Sequence, residues 1–412
     1  MEKRLSHLFG LNHNALVISI TELIHDSGSH LIWSFWSLYV LNLGGSIEIL
    51  GLFTLLTGIS SIILHPILGF ISDRIGRKKP VVIGGFIVSL FPLILAFADS
   101  WVWLIPGILL RAMDNGLWTT RQALFTDNIE INKKGRSIAI FYTIMGLTSS
   151  FLPAIGGVLL DRMGVVQGFR IGLFLSSATL FIQSVMNAKY LQESNRGENR
   201  TQIKIQLAEL KLFFKELIEP LKHNKQFQIV LIGQGILSFG HGLINQFTII
   251  YAIETIGLSK TEWGLISSFS SFANMILRIP IGSYVDRIGN LRGYLIGILV
   301  QSLYPILFYN SQFFLNVLTF NTINTLGSTF TQMSRESLLI EIIPKEERGM
   351  LYGSFAAISG FGGVFGSTSP IIGAYLWNSF GPIYNFYSTT ALSLLAFLYY
   401  IKTLKVSKPN LK

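Results

Sequence analysis

Apolar residues are grouped in twelve long blocks along the chain, and short polar stretches separate these blocks. A transmembrane helix needs about 20 mostly apolar residues, and inside lipid a helix satisfies its own backbone hydrogen bonds. We therefore predict an all-α polytopic membrane protein with twelve transmembrane helices. The predicted spans cover residues 15–43, 48–71, 81–98, 101–124, 137–159, 167–190, 226–253, 262–285, 293–309, 312–337, 349–373 and 384–404.

The spans form two sets of six, and an internal repeat relates the two sets. The segment from Gly69 to Gly76 recurs from Gly282 to Gly289, and both copies read Gly-x-x-x-Asp-Arg-Ile-Gly. Duplicated helical units are one known plan of membrane transporters, with substrate bound between the halves. We predict two pseudo-symmetric six-helix bundles over residues 1–190 and 226–412, joined by a cytoplasmic central loop over 191–225.

Lysine and arginine residues are concentrated in alternate loops, which sets the predicted orientation. In membrane proteins these residues favour the cytoplasmic side. Most of the loop cations fall on one side of the twelve-span topology when both termini are cytoplasmic. We therefore predict a multi-pass protein of the cell (plasma) membrane with both termini in the cytoplasm. The net charge of +10 follows from the same bias, so no nucleic-acid partner is expected.

The composition excludes several classes of protein and site. Only 13% of the residues are charged, against about 25% in soluble proteins, so a lipid bilayer is the expected environment. The absence of cysteine excludes disulfides, thiolate metal sites and cysteine nucleophiles. We predict no metal site, no cofactor and no catalytic residue, and we expect a monomer.

The loop after the second predicted span carries a family resemblance. It reads Gly69-Phe-Ile-Ser-Asp73-Arg74-Ile-Gly76-Arg77-Lys-Lys, and it resembles the loop motif of the major facilitator superfamily. The copy beginning at Gly282 resembles the weaker second-half version of the motif. The resemblance covers the whole chain in span count, orientation and repeat, and it implies the twelve-span fold of that family. Within the family, the chain is most similar to drug-efflux and tetracycline-type exporters.

The resemblance implies a conformational latch at the cytoplasmic ends of the helices. In the family, the motif aspartate, its second basic residue and an acid ending the fourth span form a charge cluster. The cluster holds the two halves together when the cytoplasmic side is closed. The alternative is that these cations only follow the positive-inside rule. The implied latch residues are Gly69, Asp73, Arg74, Gly76, Arg77 and Asp127, with Asp286, Arg287 and Glu341 as the second-half mirror and Arg292 as its cation.

Polar residues form helical stripes in four of the predicted spans. Ionisable groups inside a span are costly and point to function. The stripes lie in the first, fourth, seventh and tenth spans, which are the spans that line the central cavity in the family. Their members are Glu22, His25, Asp26 and His30; Arg111, Asp114, Asn115, Trp118 and Gln122; Gln234, Ser238, His241 and Asn245; and Asn321, Thr325, Ser328, Gln332 and Arg335.

Two roles are predicted for the stripes. Glu22, Asp26, Arg111 and Asp114 are candidates for proton coupling, and Asp26 resembles the first-span aspartate of tetracycline-type exporters. The alternative is a structural ion pair between Arg111 and Asp114, which lie one turn apart. For the histidines the alternative is a packed or cavity-edge side chain. The predicted substrate-cavity residues are His30, Asn115, Trp118, Gln122, Gln234, His241, Asn245, Asn321, Thr325, Ser328 and Gln332.

These features favour a secondary active transporter that moves a small solute by alternating access. No P-loop is present, so the chain cannot use ATP itself. We predict proton-coupled efflux of amphipathic organic compounds, with protons as the coupling ion. The alternative is a proton-coupled importer of a sugar or carboxylate. An enzyme is not expected, because the histidines are dispersed and no His-Glu-x-x-His sequence occurs.

Overall fold

The structure is a computed structural model, and its regular secondary structure is helical throughout the described residues. Beside the helices there is one isolated antiparallel bridge, between Leu11 and Ile129. The prediction of an all-α chain is therefore confirmed for the described part. The structure describes residues 11–129, 134–193, 224–343, 355 and 363–404.

Within the described residues of the first half, eight helices follow one another, with two short 3-10 turns at Trp33–Phe35 and Trp101–Trp103. Two of the predicted spans are broken into consecutive helices, as at Ser89 and Leu90, where one helix ends and the next begins. The helices are α1 (His13–Ile32), α2 (Trp36–Asn42), α3 (Ile47–Ile75), α4 (Lys78–Val88), α5 (Phe91–Ala96), α6 (Leu104–Asp127), α7 (Lys134–Met163) and α8 (Val165–Tyr190).

Six longer helices make up the described second half. A short helical turn, Thr248–Ile250, and a π-helical turn, Tyr251–Thr255, extend the first of them. The predicted eleventh span, 349–373, begins largely outside the described residues. The helices are α9 (Lys225–Asn245), α10 (Lys260–Ile288), α11 (Asn290–Tyr309), α12 (Phe314–Ile342), α13 (Val364–Phe380) and α14 (Pro382–Thr403).

Equivalent glycines end equivalent helices in the two halves. Gly76 follows α3 with a φ of +87°, and Gly289 follows α10 with a φ of +91°. This left-handed backbone region is open to glycine and unfavourable for other residues. The sequence repeat therefore corresponds to a repeated local structure, in which a long helix stops at a glycine before the next one begins.

Seven of the described helical segments are long and apolar enough to cross a membrane. Three of the four helices with polar stripes, α1, α6 and α12, are not among them. The twelve-span, two-bundle layout stays a prediction. The seven segments are Ile47–Gly69, Lys78–Ala96, Ser137–Met163, Val165–Tyr190, Lys225–Thr255, Lys260–Ile288 and Asn290–Tyr309.

The chain forms two compact units. Each takes most of one half of the sequence and a short segment of the other half. The predicted domain boundaries at residues 190 and 226 stay a prediction. The first unit comprises Met1–Ile49, Ile59–Ile203 and Ser259–Phe272, and the second comprises Leu50–Gly58, Lys204–Leu258 and Ala273–Lys412.

Each unit has its own buried core. In the first unit, Phe125 of α6 and Phe141 of α7 pack with ring centroids 4.4 Å apart, next to Ile18 of α1. In the second unit, Tyr294 of α11 and Tyr400 of α14 pack edge to face, with centroids 5.1 Å apart. These cores hold α1 against α6 and α7, which positions the polar stripe of α1.

Candidate functional site

A group of four charged or ionisable side chains is buried inside the first unit. We call it the buried charge cluster: Glu22 and His25 on α1, and Asp114 and Arg121 on α6. Glu22 is 0% exposed, Arg121 2% and His25 7%. Buried charges are stable only when they are paired, so the contacts among these four residues decide what the cluster can do.

Arg121 joins the two carboxylates of the cluster. Its Nε lies 2.6 Å from Oε1 of Glu22, and its Nη2 donates a hydrogen bond of 2.9 Å to Oδ1 of Asp114. A guanidinium presents its donors in a rigid fork, which suits two carboxylates at once. Arg121 therefore ties α1 to α6 through two charge-assisted contacts.

His25 lies against the remaining oxygens of the same carboxylates. Its Nε2 is 3.3 Å from Oδ2 of Asp114, and its Nδ1 is 3.5 Å from Oε2 of Glu22. Glu22 and His25 are three residues apart on α1, so they share a helix face. Each carboxylate therefore faces Arg121 with one oxygen and His25 with the other.

One neutral side chain from a third helix completes the surroundings of Glu22. Gln183 of α8 donates a hydrogen bond of 3.0 Å from its Nε2 to Oε1 of Glu22. Oε2 of Glu22 and Nδ1 of His25 are buried and make no hydrogen bond within the described structure. Nε of Arg121 is likewise buried and makes no hydrogen bond within the described structure, so its contact with Glu22 is an ion pair.

Asp26 lies next to the cluster but is not tied into it. Its side chain is half-buried, and its carboxylate forms no ion pair or hydrogen bond with any described residue. Its backbone oxygen lies 3.1 Å from Nδ1 of His30, which is also 3.1 Å from Oγ1 of Thr148 on α7. Asp26 is therefore the carboxylate of this region that remains available to another group.

Arg111 takes a different place from the one that its sequence position suggests. Its guanidinium lies over the ring of Trp33, 3.3 Å from the ring centroid, in a cation–π contact. The ion pairs of Asp114 are formed with Arg121 and His25. A helix turns by about 100° per residue, so Arg121, seven positions after Asp114, lies roughly 20° from it around the helix axis. Arg111, three positions before Asp114, lies about 60° from it. Arg121 is therefore better aligned with Asp114 than Arg111 is.

Three side chains of this region have the spacing of metal ligands, and a cation already lies beside them. One ligand-type atom from each of Glu22, His25 and Asp26 lies within 4.8 Å of the others, which is the spacing of metal ligands. The guanidinium of Arg121 already supplies a positive charge at 2.6 Å from Glu22. A divalent ion added beside it would meet like-charge repulsion.

Two of the predicted latch residues of the first half, Arg77 and Asp127, meet at the C-terminal end of α6. Nη1 of Arg77 donates to Oδ2 of Asp127 at 2.5 Å. Oε1 of Glu193, just after α8, accepts a hydrogen bond of 3.2 Å from the backbone N–H of Lys78. The side chains of Asp73 and Arg74 lie outside the described residues.

The second-half mirror repeats this contact with a different residue. Nδ2 of Asn290 donates a hydrogen bond of 2.5 Å to Oε1 of Glu341. Asn290 stands 213 positions after Arg77, the same offset as between the two glycine motifs. Asp286 and Arg287 are exposed in the last turn of α10. The second half thus has the amide of Asn290 where the first half has the guanidinium of Arg77. Arg292, the cation predicted for this contact, is exposed.

The other cavity candidates of the first unit follow Asp114 along α6. Gln122 donates from Nε2 to the hydroxyl of Tyr142 on α7 at 3.0 Å. Trp118 stacks near Phe141, with centroids 6.2 Å apart. Asn115 is exposed.

The second-unit candidates form neutral hydrogen-bond networks. The hydroxyl of Tyr294 donates to Oε1 of Gln234 at 2.9 Å, and Gln234 donates to Oγ of Ser238 at 3.2 Å. The hydroxyl of Tyr304 donates to Oδ1 of Asn321 at 3.2 Å. The remaining candidates are Thr325 and Ser328, which donate to backbone oxygens of their own helix, Asn245 and Gln332, which are exposed, and His241, which is half-buried.

Sequence reasoning missed Arg121 and underrated His25. The predicted stripe of the fourth span does not include Arg121, and His25 is predicted only as a member of the stripe of the first span. The available signal was spacing, because Asp114 and Arg121 are seven residues apart and therefore share a face. The pairing across helices depends on how α1 and α6 approach each other, which the sequence pattern does not contain.

Comparison with known proteins identifies the family. The model of the Major Facilitator Superfamily matches residues 18–253 and 230–412. A multi-drug resistance efflux pump PmrA homolog of Lactococcus lactis subsp. lactis is 26% identical over 359 residues, which cover 84% of each chain. The multidrug resistance protein MdtG of Proteus mirabilis is 26% identical over 388 residues, which cover 90% of this chain and 91% of that one.

A solved structure supports the same fold. The crystal structure of the nucleoside transporter NupG matches with a TM-score of 0.71 at 15% identity, and it covers 96% of this chain and 100% of that chain. Likeness at this identity concerns the fold. Together with the family match over nearly the whole sequence and the apolar membrane-crossing helices, it establishes that the chain belongs to the Major Facilitator Superfamily and is a membrane transporter, not an enzyme.

Proposed function

We propose that this protein is a proton-coupled exporter of amphipathic organic compounds, with a preference for positively charged ones. It moves them across the cell membrane by alternating access, and both of its termini lie in the cytoplasm. The relatives named as multidrug efflux pumps support export, at 26% identity. The excess of lysine and arginine in alternate loops supports the orientation.

The observation that carries the proposal is the pairing of charges around Asp26. Arg121 is engaged by Glu22 and Asp114, whereas the carboxylate of Asp26 has no described partner. An unpaired carboxylate within a span is costly unless it meets a proton or a cation. A site that exchanges one for the other is the basis of a proton–cation antiporter.

Import of a carboxylate or a sugar is less well supported. A carboxylate substrate would need an available cation, but Arg121 is engaged by two acidic side chains and Arg111 lies against Trp33. The relatives named above are efflux pumps and not importers. The charge of the region around Asp26 therefore favours a cationic substrate over an anionic one.

The contact between Arg77 and Asp127 supports the alternating-access part of the proposal. It is the pair that the loop-motif resemblance implies for the cytoplasmic latch, and its atoms are 2.5 Å apart. Ion pairs of this type can stabilise one of two conformations. Breaking the pair should therefore change how fast the protein moves between states more than how tightly it binds substrate.

Transport by the purified protein in liposomes tests the proposal. Tetraphenylphosphonium, a permanently charged lipophilic cation, is the probe, and an imposed pH gradient is the driving force. We expect the wild type to concentrate the probe only when protons flow in the opposite direction, and Asp26→Asn to abolish this movement. The matched control is Asp99→Asn, because Asp99 is an exposed outer-loop carboxylate, 89% exposed, that pairs with Arg170. Gradient-driven movement of sugars or carboxylates without any movement of the cation would favour the importer instead.

A further inference from the structure

We infer that His25 carries the exchanged proton: it rests as an imidazolium wedged between Glu22 and Asp114, and a cationic substrate at Asp26 releases that proton. The inference rests on the proposed function and deepens it. His25 is not among the residues that the sequence predicts for proton coupling.

The placement of the two ring nitrogens favours the charged form. Nε2 faces Oδ2 of Asp114 at 3.3 Å, and Nδ1 faces Oε2 of Glu22 at 3.5 Å. A neutral imidazole has one N–H donor and one lone pair, whereas an imidazolium has two N–H donors. In the neutral form, one lone pair would point at a carboxylate oxygen inside the protein. The imidazolium presents a donor to each carboxylate and removes that conflict.

The net charge of the buried cluster leads to the same assignment. Glu22 and Asp114 contribute two negative charges, and Arg121 contributes one positive charge. With a neutral His25, the cluster would hold one uncompensated negative charge among side chains that are 0% to 13% exposed. An imidazolium brings the sum to zero. Uncompensated buried charge is strongly destabilising, so the protonated histidine is the favoured resting form.

The carboxylates are poorer carriers because both are held by Arg121. Protonating Glu22 or Asp114 would weaken a contact of 2.6 Å or 2.9 Å to a guanidinium that does not lose its own charge. Removing the Nδ1 proton of His25 leaves both of those contacts intact. Nδ1 is also the ring nitrogen that makes no hydrogen bond in the structure. Loss of a proton from His25 therefore requires the least rearrangement.

Substrate binding supplies the charge that the departing proton removes. On α1, His25 is flanked by Glu22, Asp26 and His30; from α6 it faces Asp114 and Arg121. The polar contacts from α7 and α8 are neutral, from Thr148 to His30 and from Gln183 to Glu22. A substrate cation at Asp26 lies one residue from His25, where two positive charges repel each other. The proton lost by His25 is released to solvent when the substrate cation binds, so the charge of the region is unchanged overall.

Calorimetry on the purified protein in detergent measures the exchange directly. Tetraphenylphosphonium binding is recorded in buffers of different ionisation enthalpy, because the dependence of the heat on the buffer gives the number of protons released. We expect about one proton released by the wild type and none by His25→Gln or His25→Lys. We also expect the wild-type affinity to rise about tenfold per pH unit in the range where the proton is exchanged, as linkage requires for one proton. The His25→Gln variant should lose this pH dependence.

A control variant and a second readout keep the outcomes distinct. His13→Gln removes a histidine at the start of the same helix, where it contacts the backbone oxygen of Tyr190, and should behave as the wild type does. If His25→Gln does not fold, His25→Lys restores a positive charge and takes its place. Release of a full proton by a folded His25 variant would overturn the inference and move the proton to a carboxylate.

The charge state of His25 can also be read without any ligand. In protein labelled with ¹⁵N-histidine, the signal that disappears in the His25 variant reports both ring nitrogens. Two protonated nitrogens at pH 7.5 support the inference even if the probe does not bind, in which case the proposed substrate class alone would fail. A neutral ring at that pH would refute the inference, whatever the transport measurements give.

Discussion

Replacement of Arg121 by methionine is expected to be among the most destabilising single changes in the first unit. The variant keeps most of the side-chain volume but leaves Glu22 and Asp114 without their shared cation. Their side chains are 0% and 13% exposed, so water cannot replace the lost contacts. Removing one partner of a buried ion pair costs about 3–5 kcal/mol. A typical domain is stable by about 5–15 kcal/mol, so the variant should lose a large part of its stability.

Equilibrium unfolding in mixed detergent and SDS micelles measures this loss. The control is Asp99→Asn, since the side chain of Asp99 is 89% exposed and forms a surface ion pair with Arg170. An exposed pair contributes about 0–1 kcal/mol, so the control should be close to the wild type. Combining Arg121→Met with Glu22→Gln and Asp114→Asn should recover most of the lost stability, because His25 is then free to become neutral and the cluster holds no buried charge. A free energy of unfolding for Arg121→Met within about 1 kcal/mol of the wild type would refute the proposed pairing.

Two further predictions concern helix packing and the latch. A Cβ at Gly297 would lie 2.7 Å from the backbone oxygen of Gly327, so Gly297→Val should destabilise the protein by about 1–3 kcal/mol through overpacking. The control is Gly69→Ala, because no atom lies within 4 Å of the Cβ position of Gly69. The control should keep the wild-type free energy of unfolding in the same assay. Asp127→Asn removes the ion pair with Arg77. It should slow transport of the probe in liposomes and leave the probe's dissociation constant within about twofold of the wild-type value. Unchanged transport together with weakened binding would contradict the latch role.

The helices could be predicted from the sequence because their signal is local. The predicted spans overlap the described helices, since about 20 apolar residues in a row are sufficient to indicate a helix in lipid. The stops at Gly76 and Gly289 could also be expected from the repeated motif, because glycine tolerates the left-handed backbone that both residues adopt. The breaks of the first and third predicted spans into consecutive helices were not predicted, and no glycine or proline pattern at Trp33 indicates one there.

The candidate site could be predicted only in part, because its pairing is not local. The α1 and α6 stripes contain all the acidic members of the buried charge cluster. From helical spacing, only Arg111, one turn away, was predicted as a partner of Asp114, although Arg121 lies two turns away on the same face. The approach of α1 decides between them, since Glu22 binds Arg121 from the other side and Trp33 lies under Arg111. The rotation of α1 about its axis relative to α6 depends on side-chain packing throughout the unit, which the sequence pattern does not contain.

The repeat separates what the fold needs from what the transport chemistry needs. Arg77 contacts Asp127, and Asn290 contacts Glu341 at the equivalent positions of the second half, so both halves have this contact although only the first has a cation in it. The position of this contact is therefore repeated in both halves of the chain, whereas its positive charge is present in the first half only. The same contrast holds deeper in the structure, where the described ion pairs of the stripes lie in the first unit and the second unit has neutral networks such as that of Tyr294. The proposed proton-coupled mechanism uses one ionisable site and therefore needs buried charge in one half alone, and neutral polar and aromatic side chains in the other half suit the apolar part of an amphipathic substrate.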